Sequence, residues 1–364
     1  MALAPDALLA GPRGRRLCLS LAGAEHGDEQ VRLALRSAIM SAAYDLDPGK
    51  GTSRVMLTMT AGGPADLAGS SPADVARQID ELPPPDLDDR TLLAALAHAV
   101  DFARYWQEPD GEDVLASTPQ VRAALSRIAR QVADAAPAAW WTTPVDLAAQ
   151  WSVTFGDGPS AGSIAGRLAR WHDAAVREEA VARRERPADP RAMWSGSWWS
   201  IPPVRLLPRS TRQLEGLGPA GLWLVEDAGD WDHATAVPVT PPTDAAVYEV
   251  DGPEAWAELC ARYPLEVTAS RRHDWYRVTG RDGRWVIPDW ARAAEDLDGV
   301  HLTVAGYLTT AGRAIAVGEG LSSVLAGWDP DQTYWFTDVA SDNSSSQDWV
   351  RRDDGRWARS QPPG

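Results

Sequence analysis

The sequence predicts an α+β protein whose helices and strands are segregated along the chain. Two observations carry this. The first half holds long stretches with apolar residues at helical spacing, whereas from Trp194 the pattern changes to short alternating runs separated by proline and glycine turns. Thirteen of the 18 tryptophans also lie between Trp194 and Trp357, at turns and strand edges rather than at one helical period. At 364 residues the chain exceeds the usual size of a single core, so two domains are expected. The predicted organisation is a mainly helical N-terminal domain over 1–186 with two short strands, a linker over 187–193, a Trp-rich α+β domain over 194–339 and a disordered tail over 340–364.

In chain order, Arg16–Ala22 and Arg54–Thr60 alternate and read as strands flanking a helix at Glu29–Tyr44. Asp88-Asp89 opens a helix over Thr91–Trp106 with Leu92, Leu93, Leu96 and Val100 on one face, and Thr118-Pro119 opens another over Gln120–Ala135. A third helix, Ile164–Arg186, carries Ile164, Leu168, Trp171 and Ala175 at helical spacing. Pro187 and Pro190 then break any helix, which sets the boundary. Beyond it the expected strands are Gly221–Val225, Ala246–Val250, Trp275–Val278, Arg284–Ile287, Val300–Ala305, Ala314–Val317, Ser323–Ala326 and Thr333–Thr337. Two short helices, Pro253–Tyr263 and Asp289–Leu297, interrupt them. The polar tail from Ala340, with Asn343-Ser344-Ser345-Ser346, reads as disordered.

Composition narrows the function. A net charge of −16 opposes the counterion release on which nucleic-acid binding depends, so no nucleic-acid partner is expected. Lys50 is the only lysine among 35 basic residues and sits in a polar, glycine-flanked turn, which argues against Schiff-base chemistry. Cys18 and Cys260 lie far apart in apolar settings and read as buried free thiols, consistent with a reducing cytoplasm. The apolar run Leu17–Ala24 follows Arg13, Arg15 and Arg16, yet it is short and alternating, and it reads as a strand rather than a signal segment. No stretch approaches the roughly 20 apolar residues of a membrane span, so no membrane partner is expected.

Four clusters are candidate sites. Glu226-Asp227-Ala228-Gly229-Asp230-Trp231-Asp232-His233 offers four carboxylates and an imidazole to a divalent cation, but its spacing lacks an alternating ligand loop, and turn formation and helix capping account for it better. No metal is expected. His273-Asp274 offers a base beside an acid, although adjacent strand residues face opposite sides. His301 shares its strand face with Thr303 and Ala305, opposite Val300, Leu302 and Val304; it either lines a cleft or is a hydrogen-bonded structural histidine. Glu295, Asp296 and Asp298, and the turn Trp328-Asp329-Pro330-Asp331, place carboxylates just before strands, where both catalysis and turn chemistry recruit them. The tryptophan density suits a rigid, ring-lined cleft as well as a core.

Gly221-Leu222-Trp223-Leu224-Val225, with the acidic residues and Trp231 that follow, resembles the Gly-Ile-Tyr-Phe-Ala-Asp segment of poly(ADP-ribose)-polymerase-like ADP-ribosyltransferases. Asp331-Gln332-Thr333-Tyr334 is a loose counterpart of that family's late Asn-Glu-Tyr. The resemblance implies a small, curved, split β-sheet domain and NAD as a substrate rather than as a tightly bound cofactor. In it Trp223 stacks on nicotinamide, Arg205 or Arg212 holds ribose or phosphate, and Asp331 stabilises the oxocarbenium-like centre. His301 completes the candidate catalytic pair with Asp331. The other reading is a non-enzymatic protein- or peptide-binding module, in which the helical N-terminal half docks a partner and the tryptophans form a core or a peptide groove; the partner in either reading is a protein or a small molecule.

Overall fold

All 18 tryptophans fall in one of the two compact units into which the chain divides, residues 1–99 with 107–139 and residues 100–106 with 140–364; the first unit has none. The computed structural model describes residues 3–24, 28–51, 69–156, 162–229 and 231–360. Both helices and sheets are present, and the fold is α+β.

The first unit is helical throughout its described secondary structure: α1 (Pro5–Ala10), α2 (Pro12–Ala22), α3 (Glu29–Leu46), α4 (Pro72–Glu81), α5 (Asp89–Asp101, its last two residues in the second unit), α6 (Gly111–Ser117) and α7 (Pro119–Asp134). Proline stands in the first turn of α1, α2, α4 and α7, where its missing N–H costs nothing. Asp28, Ser71 and Asp110 cap α3, α4 and α6 through their side-chain oxygens. The segment Arg16–Ala22 is therefore helix, not strand. Nearly all of α2 is buried, so it has no polar face to display a helical period, and the alternation of its leucines is incidental. Its two buried arginines are ion-paired: Arg13 pairs with Asp113 and donates to the Ala99 carbonyl at 2.9 Å, and Arg16 meets both oxygens of Asp110 at 2.7 and 2.8 Å. The expected strand Arg54–Thr60 lies outside the described residues.

The second unit holds β1 (Gln150–Thr154), α8 (Ile164–Glu185), β2 (Arg209–Leu214), β3 (Gly218–Pro219), β4 (His233–Thr240), β5 (Val247–Val250), α9 (Pro253–Arg262), β6 (Pro264–Glu266), α10 (Thr268–Thr279), β7 (Arg284–Pro288), α11 (Trp290–Ala293), β8 (Gly299–Leu302), α12 (Val304–Thr310), β9 (Ile315–Gly318), β10 (Leu321–Ser323), β11 (Thr333–Trp335), β12 (Ala340–Ser341), β13 (Gln347–Arg351) and β14 (Trp357–Arg359). One sheet runs β14-β13-β4-β1-β2-β11-β8-β5, with β3 beside β2 and β12 beside β4; the other runs β6-β7-β10-β9. Pairing is antiparallel except for β5 with β8 and β7 with β10. Among the buried tryptophans, Trp256, Trp290 and Trp328 meet at centroid distances of 6.0 to 6.4 Å, Trp275 meets Trp285 at 5.2 Å, and Trp335 donates its indole N–H to Ser210 at 2.8 Å.

Several expected elements differ, each for a local reason. The segment Trp275–Val278 belongs to α10, which buries Arg271, His273, Asp274 and Trp275 together and so shows no apolar stripe; Gly280, left-handed at φ 69°, ends it. Gly221–Val225 is not a strand: Ala220–Leu222 is a 3₁₀ turn, in which the Gly221 N–H donates to the Thr211 hydroxyl at 3.0 Å. A short buried apolar run has no period with which to tell the two apart. The strand at Val300 stops at Leu302, because the Thr303 hydroxyl accepts from the Gly306 N–H at 2.9 Å and caps α12. Asp289–Leu297 shortens to α11. Residues from Ala340 form β12, β13 and β14 rather than a disordered tail; β12 and β13 pair with β4 and β14 with β13, and Trp349 anchors them against Val153, Leu222, Ala234 and Ala236, with Trp357 packed on the same cluster.

The compact second unit also begins earlier than residue 194. Helix α8 packs on α10 and α11, and the carboxylate of its buried Glu179 accepts the Ala269 and Ser270 N–H groups, both at 2.9 Å, at the start of α10. Residues 187–193 lie inside this unit, where the Ala188 carbonyl accepts from Arg272 at 2.9 Å.

Candidate functional site

In the second unit a cavity of about 940 Å³ opens between β1, the chain on either side of Trp199, β2 and the turn before β11. Flat rings form much of its wall. Trp106, Trp198 and Trp199 lie in series, with centroids 5.0 and 4.4 Å apart, and Phe155 stacks on Trp231 at 4.8 Å. Trp199 and Trp231 are 47% and 46% exposed.

The stretch carrying Trp198 and Trp199 has no regular secondary structure, yet α10 holds it from behind. Asp274, which is buried and also paired with Arg277, accepts from the Ser195 hydroxyl and the Gly196 N–H, both at 2.9 Å. The Trp275 indole donates to the Trp198 carbonyl at 2.9 Å, and Arg271 donates to the Trp199 carbonyl at 3.2 Å. Ser200 and Ala326 then exchange two bonds, at 3.2 Å through the Ser200 N–H and 2.9 Å through its hydroxyl. Opposite, Gly327 takes φ 87°, and a Cβ there would sit 2.6 Å from the Trp199 ring. The residue is thus preorganised: its backbone is fixed, and its ring stacks on Trp198 and lies against Gly327, while nearly half of the residue stays exposed.

The charged groups of the wall are Arg205, Arg209, Glu226, Asp227 and Asp329. One Glu226 oxygen accepts from the phenols of Tyr105 and of Tyr307, the latter at 2.8 Å. The Glu226 N–H donates to Asp329 at 2.9 Å, and Gln332 donates to the other Asp329 oxygen at 3.4 Å. Burial pushes the Asp329 carboxyl up to about 6, against the pull of the Glu226 N–H, the Arg209 charge and Gln332. Asp227 pairs with Arg104 at 2.9 Å.

Three of the five residues singled out from the sequence come together, but away from this wall. Arg212 on β2 donates from Nε to Asp331 at 2.5 Å and from its backbone N–H at 2.9 Å, and Asp331 lies 3.5 Å from His301 Nε2. The other His301 nitrogen meets Glu249 at 2.5 Å, and Glu249 also accepts the Val145 N–H at 2.9 Å. Arg212 further donates to Thr143 at 2.7 Å and lies over the Trp140 ring. Burial opposes the imidazolium, yet the bonds and charges of Asp331 and Glu249 prevail and raise His301 to about 9. Asp331 and His301 are almost fully buried, and neither they nor Arg212 lines the cavity. His301 is thus a hydrogen-bonded histidine at the centre of a charge network, the second of the two readings of its strand.

Arg205 is exposed on the cavity wall. Trp223 is not part of that wall; its indole donates to the Leu217 carbonyl at 2.9 Å, and its ring packs on the Val153–Trp349 cluster. The acidic run from Glu226 diverges, with Glu226 turned to the tyrosines, Asp227 to Arg104 and Asp232 to His233 at 2.7 Å. Among the described residues no group of three or more His, Cys, Asp and Glu is arranged to hold a metal ion. His273 and Asp274 are buried neighbours on a helix, where Asp274 serves the Trp199 stretch.

Sequence reasoning missed Glu249, Asp329 and the Trp198-Trp199 pair. Glu249 is the register partner of His301 across β5 and β8, a pairing of residues 52 apart that no local pattern announces. The turn Trp328–Asp331 was visible, but two carboxylates two residues apart gave no sign of which would face the cavity. No protein-family model, curated protein or solved structure matches this chain.

Proposed function

We propose that the second unit is a binding module for a small-molecule ligand, with the ring-lined cavity as its site. The observation that carries this reading is Trp199, which lines the cavity and is nearly half exposed although its backbone is bonded on both sides. A large apolar ring left in water adds nothing to folding, and fixing its backbone from a helix behind removes ordering entropy that a ligand would otherwise have to overcome. The convergence of Asp329, Gln332 and Arg209 on the same space supplies the few oriented polar groups that small-ligand sites use.

Tryptophan emission tests this directly, since every tryptophan belongs to the unit in question. A panel of metabolites should include at least one that shifts emission saturably and raises the melting temperature of the full chain, and Trp199→Ala should abolish both effects. A panel without effect on either readout sinks the reading.

The NAD-consuming transferase is the second reading, and the position of Arg205 on the cavity wall favours it. It requires Asp331 to reach a bound ribose, and Asp331 is engaged by Arg212 and His301. Release of nicotinamide from millimolar NAD by the wild-type chain, lost in Asp331→Asn, would establish it over the binding module; no release disposes of it.

A further inference from the structure

The wall charges of the cavity cancel. Asp227 is taken up by Arg104 at 2.9 Å, which leaves Arg205 and Arg209 facing Glu226 and Asp329. A site for a cation would not line the same space with two guanidiniums, and a site for an anion would not hold two carboxyls beside them, because each unlike charge removes most of what its partner contributes. What remains is flat apolar surface edged by fixed donors and acceptors. The turn that begins at Gly327 joins the two: Gly327 lies against the Trp199 ring, and Asp329, two residues farther on, lines the same cavity. There Gln332 bonds Asp329 at 3.4 Å, and Arg209 is close enough for its charge to act on that carboxyl.

We propose that the ligand of this cavity is an uncharged saccharide, with the C–H face of one sugar ring laid on Trp199 and its hydroxyls shared among Asp329, Gln332 and Arg209. The inference rests on the binding-module reading and names its ligand class. A sugar ring is amphipathic in the way the site is: an axial C–H face that stacks on an indole, and a rim of hydroxyls that both donate and accept. Asp329 suits that rim, since a carboxyl poised at about 6 can accept from one hydroxyl and, when protonated, donate to another. At about 940 Å³ the space is at the upper end of small-ligand sites and has room for a second sugar ring, and the Phe155–Trp231 stack lines the same wall.

The test is a glycan array of neutral, sialylated and sulfated oligosaccharides probed with the labelled full chain, followed by titration of the strongest neutral hit against tryptophan emission. Binding confined to neutral glycans is expected. Trp199→Ala should weaken the titrated hit at least tenfold. Asp329→Asn, which keeps shape and fold, should weaken it severalfold and flatten the dependence of affinity on pH around 6. Hits only on charged glycans, or an affinity unchanged in both variants, overturn the assignment. Choline, inorganic phosphate and NAD are titrated in the same format. If one of these shifts emission in a Trp199-dependent way while the array is blank, the saccharide is wrong and the binding module stands. If nothing binds, both fall.

Discussion

His301 makes the stability of the second unit depend on pH, with a sign and size that follow from its neighbours. In the unfolded chain it titrates near 6.5; in the folded one the Asp331 and Glu249 carboxylates raise it to about 9 despite complete burial. A folded value above the unfolded one means that the stabilisation is fully present below the unfolded value and is lost as pH rises towards the folded value. The whole difference corresponds to roughly 3 kcal/mol at about 1.4 kcal/mol per pH unit, and roughly 2 kcal/mol of it should disappear between about pH 6 and about pH 8.5. Urea unfolding followed by tryptophan emission reads this unit alone. His301→Gln is the control, because it cannot carry the charge. The comparison is the wild-type stability minus that of the variant, which cancels His273, lowered by burial, Asp329, raised by burial, and Cys260, whose thiol burial also raises. That difference should be largest near pH 6 and shrink towards pH 8.5. A difference that stays constant across the range, or grows, would refute the assignment of a buried imidazolium between two carboxylates.

Three further outcomes are expected. Glu179→Ala leaves the Ala269 and Ser270 N–H groups buried without their acceptor, so the second unit should lose about 2–4 kcal/mol, seen as a lower urea midpoint; a loss within experimental error would mean that water replaces the carboxylate. Gly14→Ala would put a Cβ 2.0 Å from the Leu8 carbonyl oxygen where α1 meets α2, and should cost the first unit about 1–3 kcal/mol as read by thermal loss of helical circular dichroism. Cys18 and Cys260 are free and buried, and burial raises both thiols, so a thiol reagent should label neither in the native protein and both in denaturant; fast native labelling of either would place that thiol at the surface.

What the sequence disclosed followed from which residues had one wet face. Helices α3, α5, α7, α8 and α9 each show a period or a proline or aspartate start, and all lie within a few residues of their expected places. The errors cluster where that contrast is absent. In α2 both faces are dry, in α10 the buried face is itself polar, and in β13 and β14 both faces are largely wet, so each mimics something else. The unit boundary followed the same logic: Pro187 and Pro190 do end a helix, but a helix end is a domain end only if little crosses it, and the bonds from Glu179 to α10 cross it.

The site was legible in its residue types and illegible in its partners. Tryptophan density pointed to a ring-lined cleft, and the cavity is ring-lined, but the same density also supplies the Trp256–Trp290–Trp328 core, and only burial separates the two populations. Asp331 and Asp329 illustrate the limit more sharply. They stand two residues apart in one turn, Asp331 almost fully buried and Asp329 partly so, and their chemistry diverges because of their partners: Arg212 and His301 keep Asp331 ion-paired, whereas Asp329 has a backbone N–H, an amide and the charge of Arg209 to offset its burial. A carboxylate that is fully paired has no capacity left for a ligand, and one that is poorly compensated gains by finding one. On the binding-module reading, that difference favours Asp329, on the wall of the cavity, over Asp331 as the carboxyl that meets a ligand.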